Sequence, residues 1–352
     1  MMPFDFSSDY MEGAHPEIIK RLSETNLQKT AGYGSDPYCD SAREKIRDAC
    51  ACPDAKVEFL VGGTQTNAIV ITALLSPYQG VIAADSGHVS VHEAGAIEAG
   101  GHKVLTLPHK LGKISAEQIR SFCRKYVDDA NKDHMVMPGM VYISQPTEYG
   151  TLYSIDELTQ ISEVCREYDL KLYADGARLA YGLACSENDV NLPDMARLCD
   201  AFYIGGTKCG ALFGEAVVLP DPNLIPHFFT IIKQHGALLA KGRLLGIQFE
   251  TLFTDDLYSK VGKTAVQAAE RIRTAFIRNG YKLAFPSPTN QIFILLNRKE
   301  KEKLDRICAT SFWENPDEEH TIVRLATSWA ASEPEVDAFI GSLPAAKGGS
   351  DK

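Results

Sequence analysis

From about residue 15 to residue 220 the chain alternates helix-like stretches with short apolar runs, and this alternation restricts the folds open to it. Pro16 to Leu27 has helical spacing, with Ile18, Ile19 and Leu22 on one face. Asp40 to Cys50 has it again. Val57 to Val61 has strand composition and is stopped by Gly62-Gly63; Thr64 to Leu75 then reads as a helix ended by Ser76-Pro77. Val81 to Ala84 and Val104 to Leu107 are further strands, separated by a predicted helix from Val89 to Ala99. Ser115 with Gln118, and Ser154 with Glu157, have the spacing of capping boxes that start two more helices. Met140 to Ser144, Lys171 to Ala174, Ala201 to Ile204 and Ala216 to Leu219 complete the strands. Strands spaced by helices imply an α/β fold with a mostly parallel sheet covered by helices on both faces. Runs such as Val141-Tyr142-Ile143 lack polar alternation, as a sheet buried on both sides requires.

Beyond residue 220 the pattern changes. A long helical region with breaks runs from Pro222 to about Asn279, followed by strands at Gln291 to Leu296 and Thr321 to Thr327 and a helix from Pro334 to Leu343. This predicts a smaller C-terminal α+β domain over residues 245–352, after a large domain with its N-terminal segment over residues 1–244. The tail 347–352 is expected to be disordered.

Composition narrows the partners. Among 352 residues, 45% are hydrophobic and 23% charged, an ordinary globular balance. A net charge of -10 argues against a general nucleic-acid surface, which needs a basic excess. No apolar run approaches the roughly 20 residues that span a bilayer, and the start, Met1 to Asp5, lacks the basic and apolar regions of a signal peptide. The expected location is the cytoplasm, where nine scattered cysteines stay as thiols. Cys50-Ala51-Cys52 lacks the spacing of a zinc or redox site, and no metal is expected.

In open α/β sheets ligands bind beyond the carboxyl ends of the strands, and three such ends carry chemistry here. Gly62-Gly63-Thr64-Gln65 lets backbone approach a ligand at a helix N-terminus, which suits a phosphate; it also fits a plain turn. Asp175, ending its strand before Gly176-Ala177-Arg178, needs a cationic partner, either a protonated pyridine nitrogen or Arg178 itself. Lys208, set in Gly205-Gly206-Thr207-Lys208-Cys209-Gly210, can reach a strand-end pocket, where desolvation would free its amine, or can lie on the surface. Together, in this order, they are what a pyridoxal 5'-phosphate pocket needs along one sheet edge.

At this point the chain resembles a known family, the low-specificity threonine aldolases of the β-eliminating lyases, with the aspartate-aminotransferase-like fold. Phe6-Ser7-Ser8-Asp9 resembles the family's R-S-D-T, Tyr33-Gly34-Ser35-Asp36-Pro37 its Y-G-E-D-P, and Gly62 to Asn67 its S-G-T-x-x-N. Asp85-Ser86-Gly87-His88 with Glu93 resembles D-S-H-I-x-x-x-E with one inserted glycine. Asp175-Gly176-Ala177-Arg178 matches D-G-A-R in full, Thr207-Lys208 matches the Ser-Lys of the cofactor lysine, and Val323 to Thr327 resembles I-R-L-V-T.

The resemblance implies roles. Lys208 would carry the cofactor as a Schiff base and move protons at the α-carbon. His88 would stack on the ring, Asp175 would pair with its nitrogen, and Gly63, Thr64 and Gln65 would hold the phosphate, with Thr207 and Arg178 also at the cofactor. Ser8, Arg178 and Arg324 would take the carboxylate of a small amino-acid substrate. Glu93 could orient a proton-transfer water. Tyr33, and by a looser match Lys241, would reach the phosphate of a neighbouring subunit, making a homo-oligomer, dimer or tetramer, with pockets at the interface.

One stretch departs from the pattern. Where these aldolases carry a second histidine near the substrate hydroxyl, this chain reads Ser144-Gln145-Pro146-Thr147-Glu148-Tyr149, with Thr147 at about that place. The remaining histidines, His15, His92, His227 and His235 among them, read as surface or packing residues. The expected activity is aldol cleavage of L-threonine-like β-hydroxy amino acids to glycine and an aldehyde. The alternatives are β-elimination, transamination or racemisation on the same cofactor. A binding protein that had lost the activity would have lost Lys208 or Asp175, and a nicotinamide-binding fold would show G-x-G-x-x-G after its first strand.

Overall fold

The first strand of the chain, β1 (Phe4–Asp5), does not belong to the main sheet. In this computed structural model, which describes residues 4–346, helices Pro16–Thr25 and Pro37–Ala49 follow before the sheet begins. That sheet has seven strands: β2 (Lys56–Leu60), β3 (Gln79–Ala84), β4 (Val104–Leu107), β5 (Met137–Ser144), β6 (Lys171–Asp175), β7 (Ala201–Gly205) and β8 (Glu215–Leu219). Their spatial order is β2-β8-β7-β6-β5-β3-β4. All run parallel except β8, which is antiparallel to both neighbours. The link from Gly205 to Glu215 is too short for a crossover, so β8 returns beside β7 as a hairpin. Strands β7 and β8 are buried along their whole length, which accounts for their unbroken apolar runs.

The capping boxes at Ser115 and Ser154 are formed and start helices Ala116–Asp128 and Ile155–Glu167. The single helix expected from Val89 to Ala99 is instead two short turns, His88–Val91 and Ala96–Ala99. Ala94 and Gly95 between them are left-handed, at φ 51° and 74°, a conformation no right-handed helix accommodates. That break directs Glu93 inward.

The region after residue 220 resolves into helices Phe228–Gln234, Arg243–Leu252 and Leu257–Arg278. Five short or medium strands follow: β9 (Lys282–Leu283), β10 (Gln291–Asn297), β11 (Cys308–Ala309), β12 (Ser311–Glu314) and β13 (His320–Ala326). Four form an antiparallel sheet in the order β12-β13-β10-β9, while β11 pairs in parallel with β1. The sequence pattern had revealed only β10 and β13. The others are edge strands of two to four residues, too short to show a period.

Two cores divide within the helix Leu257–Arg278. Val261 and Ala265 pack with the main sheet's core, whereas Ala269, Ile272 and Phe276 pack with Ile294, Val323 and Phe339. The change of core therefore falls later than the expected 244/245 boundary, and Phe6 from the start of the chain joins the second core. Met1 to Pro3, read against a signal peptide, and the tail from Lys347, expected to be disordered, lie outside the described residues.

Candidate active site

Strands β5, β6 and β7 end side by side, with Ser144 in register with Asp175 and Gly205 just beyond. A cavity of about 330 Å³ opens there, lined by Gly63, Thr64, His88, Asp175, Arg178 and Lys208, with Tyr10, His92, Glu148, Tyr203, Thr207 and Glu215 completing the wall. A larger hollow, about 580 Å³, lies between Lys110–Gln118 and the Pro286–Pro288 turn. Its ionisable groups are Lys110, Glu187 and the paired Lys113 and Glu157, without the histidines or the buried strand-end carboxylate of the other, so the smaller cavity is the candidate site.

Asp175 is almost wholly buried and accepts hydrogen bonds from the Tyr142 and Tyr203 hydroxyls, from Asn67 Nδ2 at 3.0 Å and from the Ala177 N–H at 2.9 Å. Burial alone would raise its pKa. The charge of His88 and the hydrogen bonds from Tyr142, Tyr203 and Asn67 more than offset that and hold the carboxyl below its ordinary value. The site thus keeps a carboxylate in a nearly dry setting. The alternative partner is excluded: Arg178 gives its guanidinium to Asp9, from Nε at 2.6 Å and Nη2 at 3.0 Å, and not to Asp175.

Lys208 sits in the turn between β7 and β8, half-buried, with its backbone carbonyl accepting from the Tyr181 hydroxyl. Burial, then the neighbouring Arg178 charge, lowers the ammonium pKa, against the opposing pull of Asp9, Asp175 and Glu215. Thr207 Oγ1 donates to Glu215 Oε1 at 2.8 Å and accepts from the Gly214 N–H, which fixes the turn. Glu215 is buried, and burial pushes its pKa up to about 8 despite the bonds from Thr207 and Gly206.

Across the cavity, helix Gly63–Leu74 begins at N-cap Gly62 with no side-chain cap. The N–H groups of Gly63, Thr64 and Gln65 have no acceptor among the described residues, and Gln65 turns its side chain back to the Val61 N–H. A Cβ on Gly63 would come within 3.2 Å of the Tyr203 hydroxyl, so the glycine keeps this wall open. His88 Nδ1 lies 3.0 Å from Glu93 Oε1, which also accepts from Asn67 Nδ2 at 2.8 Å. The Glu93 side chain is buried, not a solvated helix residue.

The expected carboxylate group is dispersed. Ser8 Oγ is buried without a hydrogen-bond partner. Arg324 lies behind the cavity wall, donating to Gln291 Oε1 and Ser311 Oγ, each at 3.1 Å. Burial and the Arg178 charge pull its pKa down to about 10, which leaves it charged at neutral pH. Tyr33 and Lys241 do not line this cavity. Tyr33 is left-handed at φ 58° and 43% exposed, donates its N–H to the Ala240 carbonyl, and has Lys233 Nζ 4.1 Å from its ring centre. Lys241 is exposed beside it in the chain's fold.

Two expectations need correction. Thr147, matched to the second histidine, is buried and bonded to Thr151 Oγ1 and the Leu111 carbonyl, away from the cavity; Glu148 is the residue of that stretch that lines it. His92, read as a surface or packing residue, is exposed but also lines the cavity, its ring 5.7 Å from that of His88. Sequence reasoning also missed Asp9, Asn67, Tyr203 and Glu215. Only Asp9 and Asn67 stood inside motifs already noticed; nothing local marks Tyr203 or Glu215.

Solved structures place the architecture. Aspartate aminotransferase from Thermus thermophilus superposes with a TM-score of 0.71 at 15% identity, covering 96% of this chain and 90% of the other, which shows a shared fold. A family profile described as beta-eliminating lyase matches residues 5–294. The chain belongs to the beta-eliminating lyase family, whose members are pyridoxal-phosphate-dependent enzymes. Threonine aldolase from Leishmania major matches with a TM-score of 0.93 and 43% identity over 97% of this chain and 98% of that one. The low specificity L-threonine aldolase of Pseudomonas aeruginosa is 31% identical, covering 85% of this chain and 86% of its own.

Proposed function

We propose that this chain holds pyridoxal 5'-phosphate on Lys208 and cleaves L-threonine-like β-hydroxy amino acids to glycine and an aldehyde. The observation that carries the reading is the convergence of Lys208, the ionised Asp175 and the free N–H groups of Gly63 and Thr64 on one cavity, with the free N–H of Gln65 next in the same helix start. These residues fit the cofactor: a carboxylate for a pyridinium nitrogen, a lysine whose lowered pKa frees its amine, and a helix N-terminus for phosphate. When bound, the cofactor supplies an electron sink for the α-carbon. His88, oriented by Glu93, would cover the ring, and Thr207 fixes the lysine turn. Lys208 takes and returns the proton at the α-carbon. Arg178, locked by Asp9, lines the cavity and is positioned to bind the substrate carboxylate, whereas Arg324 and the unpartnered Ser8 hydroxyl lie outside its lining.

Incubating the purified protein and cofactor with L-threonine and L-allo-threonine should release acetaldehyde and glycine in equal amounts. A keto acid with ammonia, or a racemised product without aldehyde, would move the assignment to elimination or racemisation.

Tyr33 and Lys241, exposed and away from their own cavity, support a homo-oligomer, dimer or tetramer, in which they reach the neighbouring phosphate site. Sedimentation at micromolar concentration should give a dimer or larger, and Tyr33→Ala should weaken cofactor affinity. A fully active monomer would refute this arrangement. No helix among the described residues is long and apolar enough to cross a membrane. Nine unpaired cysteines support a cytoplasmic setting.

A further inference from the structure

Aldol cleavage needs a group to take the proton of the β-hydroxyl, and the histidine expected for it is absent from the Ser144–Tyr149 stretch. Glu148 occupies the cavity wall there. Its Oε1 accepts the Ser144 hydroxyl at 2.7 Å and the His88 backbone N–H at 2.9 Å. No other described residue donates a hydrogen bond to Oε2. His88 is the other candidate: its Nδ1 faces the buried Glu93, and its Nε2 has no hydrogen-bond partner among the described residues.

We propose that Glu148 is the catalytic base for the substrate's β-hydroxyl, standing in for the missing histidine. This rests on the aldolase reading above. In the step, Glu148 Oε2 takes the hydroxyl proton. The O–H electron pair becomes the second bond of the aldehyde carbonyl, and the Cα–Cβ bond breaks with its pair left on Cα. A proton then added at Cα completes glycine, and Glu148 loses its proton to solvent.

Two further features support the assignment. Burial raises the Glu148 pKa, and the Asp175 charge adds to this against the hydrogen bonds from Ser144 and His88. A carboxylate raised in this way is a stronger base than an exposed one. The backbone carbonyl of Glu148 also accepts from Gln291 Nε2 at 3.3 Å, and Gln291 Oε1 accepts from Arg324 Nη1 at 3.1 Å. One hydrogen-bonded chain thus links the backbone of Glu148 to Arg324.

The test compares the holoenzyme with Glu148→Gln and Glu148→Asp. Glu148→Gln should lower kcat for threonine cleavage about 10²- to 10³-fold, with the glycine Kd from absorbance titration and the exchange of glycine α-protons in D2O unchanged within about threefold. Glu148→Asp, which keeps the acid but withdraws it by one methylene, should lose cleavage by about tenfold with the same two controls unchanged. Should the glutamine variant not fold, the aspartate variant alone decides. Undiminished cleavage in the variant that folds, or glycine exchange falling in step with cleavage, would overturn the assignment. A parent enzyme that releases no aldehyde would overturn the aldolase reading with it, whereas a cleaving parent and an equally active Glu148→Gln would sink Glu148 alone.

Discussion

Lys208→Ala is expected to fold normally and to lose threonine cleavage by at least about 10⁴-fold, since both the covalent attachment and the α-carbon proton carrier go with the side chain. No described side-chain hydrogen bond involves the Lys208 amine, and its removal relieves the repulsion with Arg178 while giving up the attraction of Asp9, Asp175 and Glu215. The tyrosine that anchors this turn binds the Lys208 backbone carbonyl, which the substitution keeps. Borohydride reduction of the parent should fix the cofactor to the peptide bearing Lys208 and leave the variant unlabelled. A label on another lysine, or a variant that still turns over at the parental rate, would refute the whole site assignment.

Asp9→Ala should be the most destabilising single change near the site, costing about 3–5 kcal/mol, because it strands the buried Arg178 guanidinium. Asp9 is fully buried and accepts from Arg178 at two nitrogens and from Asn290 Nδ2 at 2.9 Å. Urea denaturation provides the measurement, and a loss below about 1 kcal/mol would mean that water or another carboxylate replaces Asp9. The penalty should depend on pH in a defined direction. Burial would raise the Asp9 pKa, but the charges of Arg178 and Lys208 and the hydrogen bonds from Arg178 and Asn290 bring it well below the usual range. A carboxyl depressed in the folded state stabilises fully above its unfolded value of about 3.9 and loses that contribution as pH falls towards the folded value. The difference between parent and Asp9→Ala should accordingly be constant from neutral pH down to about pH 5 and shrink below pH 4.

The sheet, its burial and the strand ends were legible because they depend on neighbours in sequence. Asp175 and Lys208 follow apolar runs directly, and their placing needs only the strand to end where the glycines begin. The capping boxes at Ser115 and Ser154 are likewise local. What could not be read depends on distant partners. Asp9 meets Arg178 and Asn290 only in the folded chain, so the motif around Ser8 was noticed while its best-connected member was not. Thr147, matched to a histidine, does not line the cavity and Glu148 does, since backbone direction after β5, and not order in the sequence, decides which side chain enters it. The turn at Ala94–Gly95 was missed because His88 to Ala99 has enough helical character to hide one left-handed pair.

The opening strand has a consequence for how the protein is made. Phe4–Asp5 pairs with Cys308–Ala309, the Ala326 N–H donates to the Phe6 carbonyl, and Asp9 binds Asn290. These residues have their partners roughly 300 residues downstream, among the longest sequence separations this fold contains. During synthesis the central sheet can assemble while Phe4–Phe6 wait unpaired, and domains generally form from the N-terminus onward. A chain that stops short of residue 290 would keep Arg178 for Asp9 but would lack Asn290 and the strand and backbone partners of Phe4–Phe6. The side of the cavity that Asp9 supports is thus completed only by residues that follow the whole central sheet in the chain.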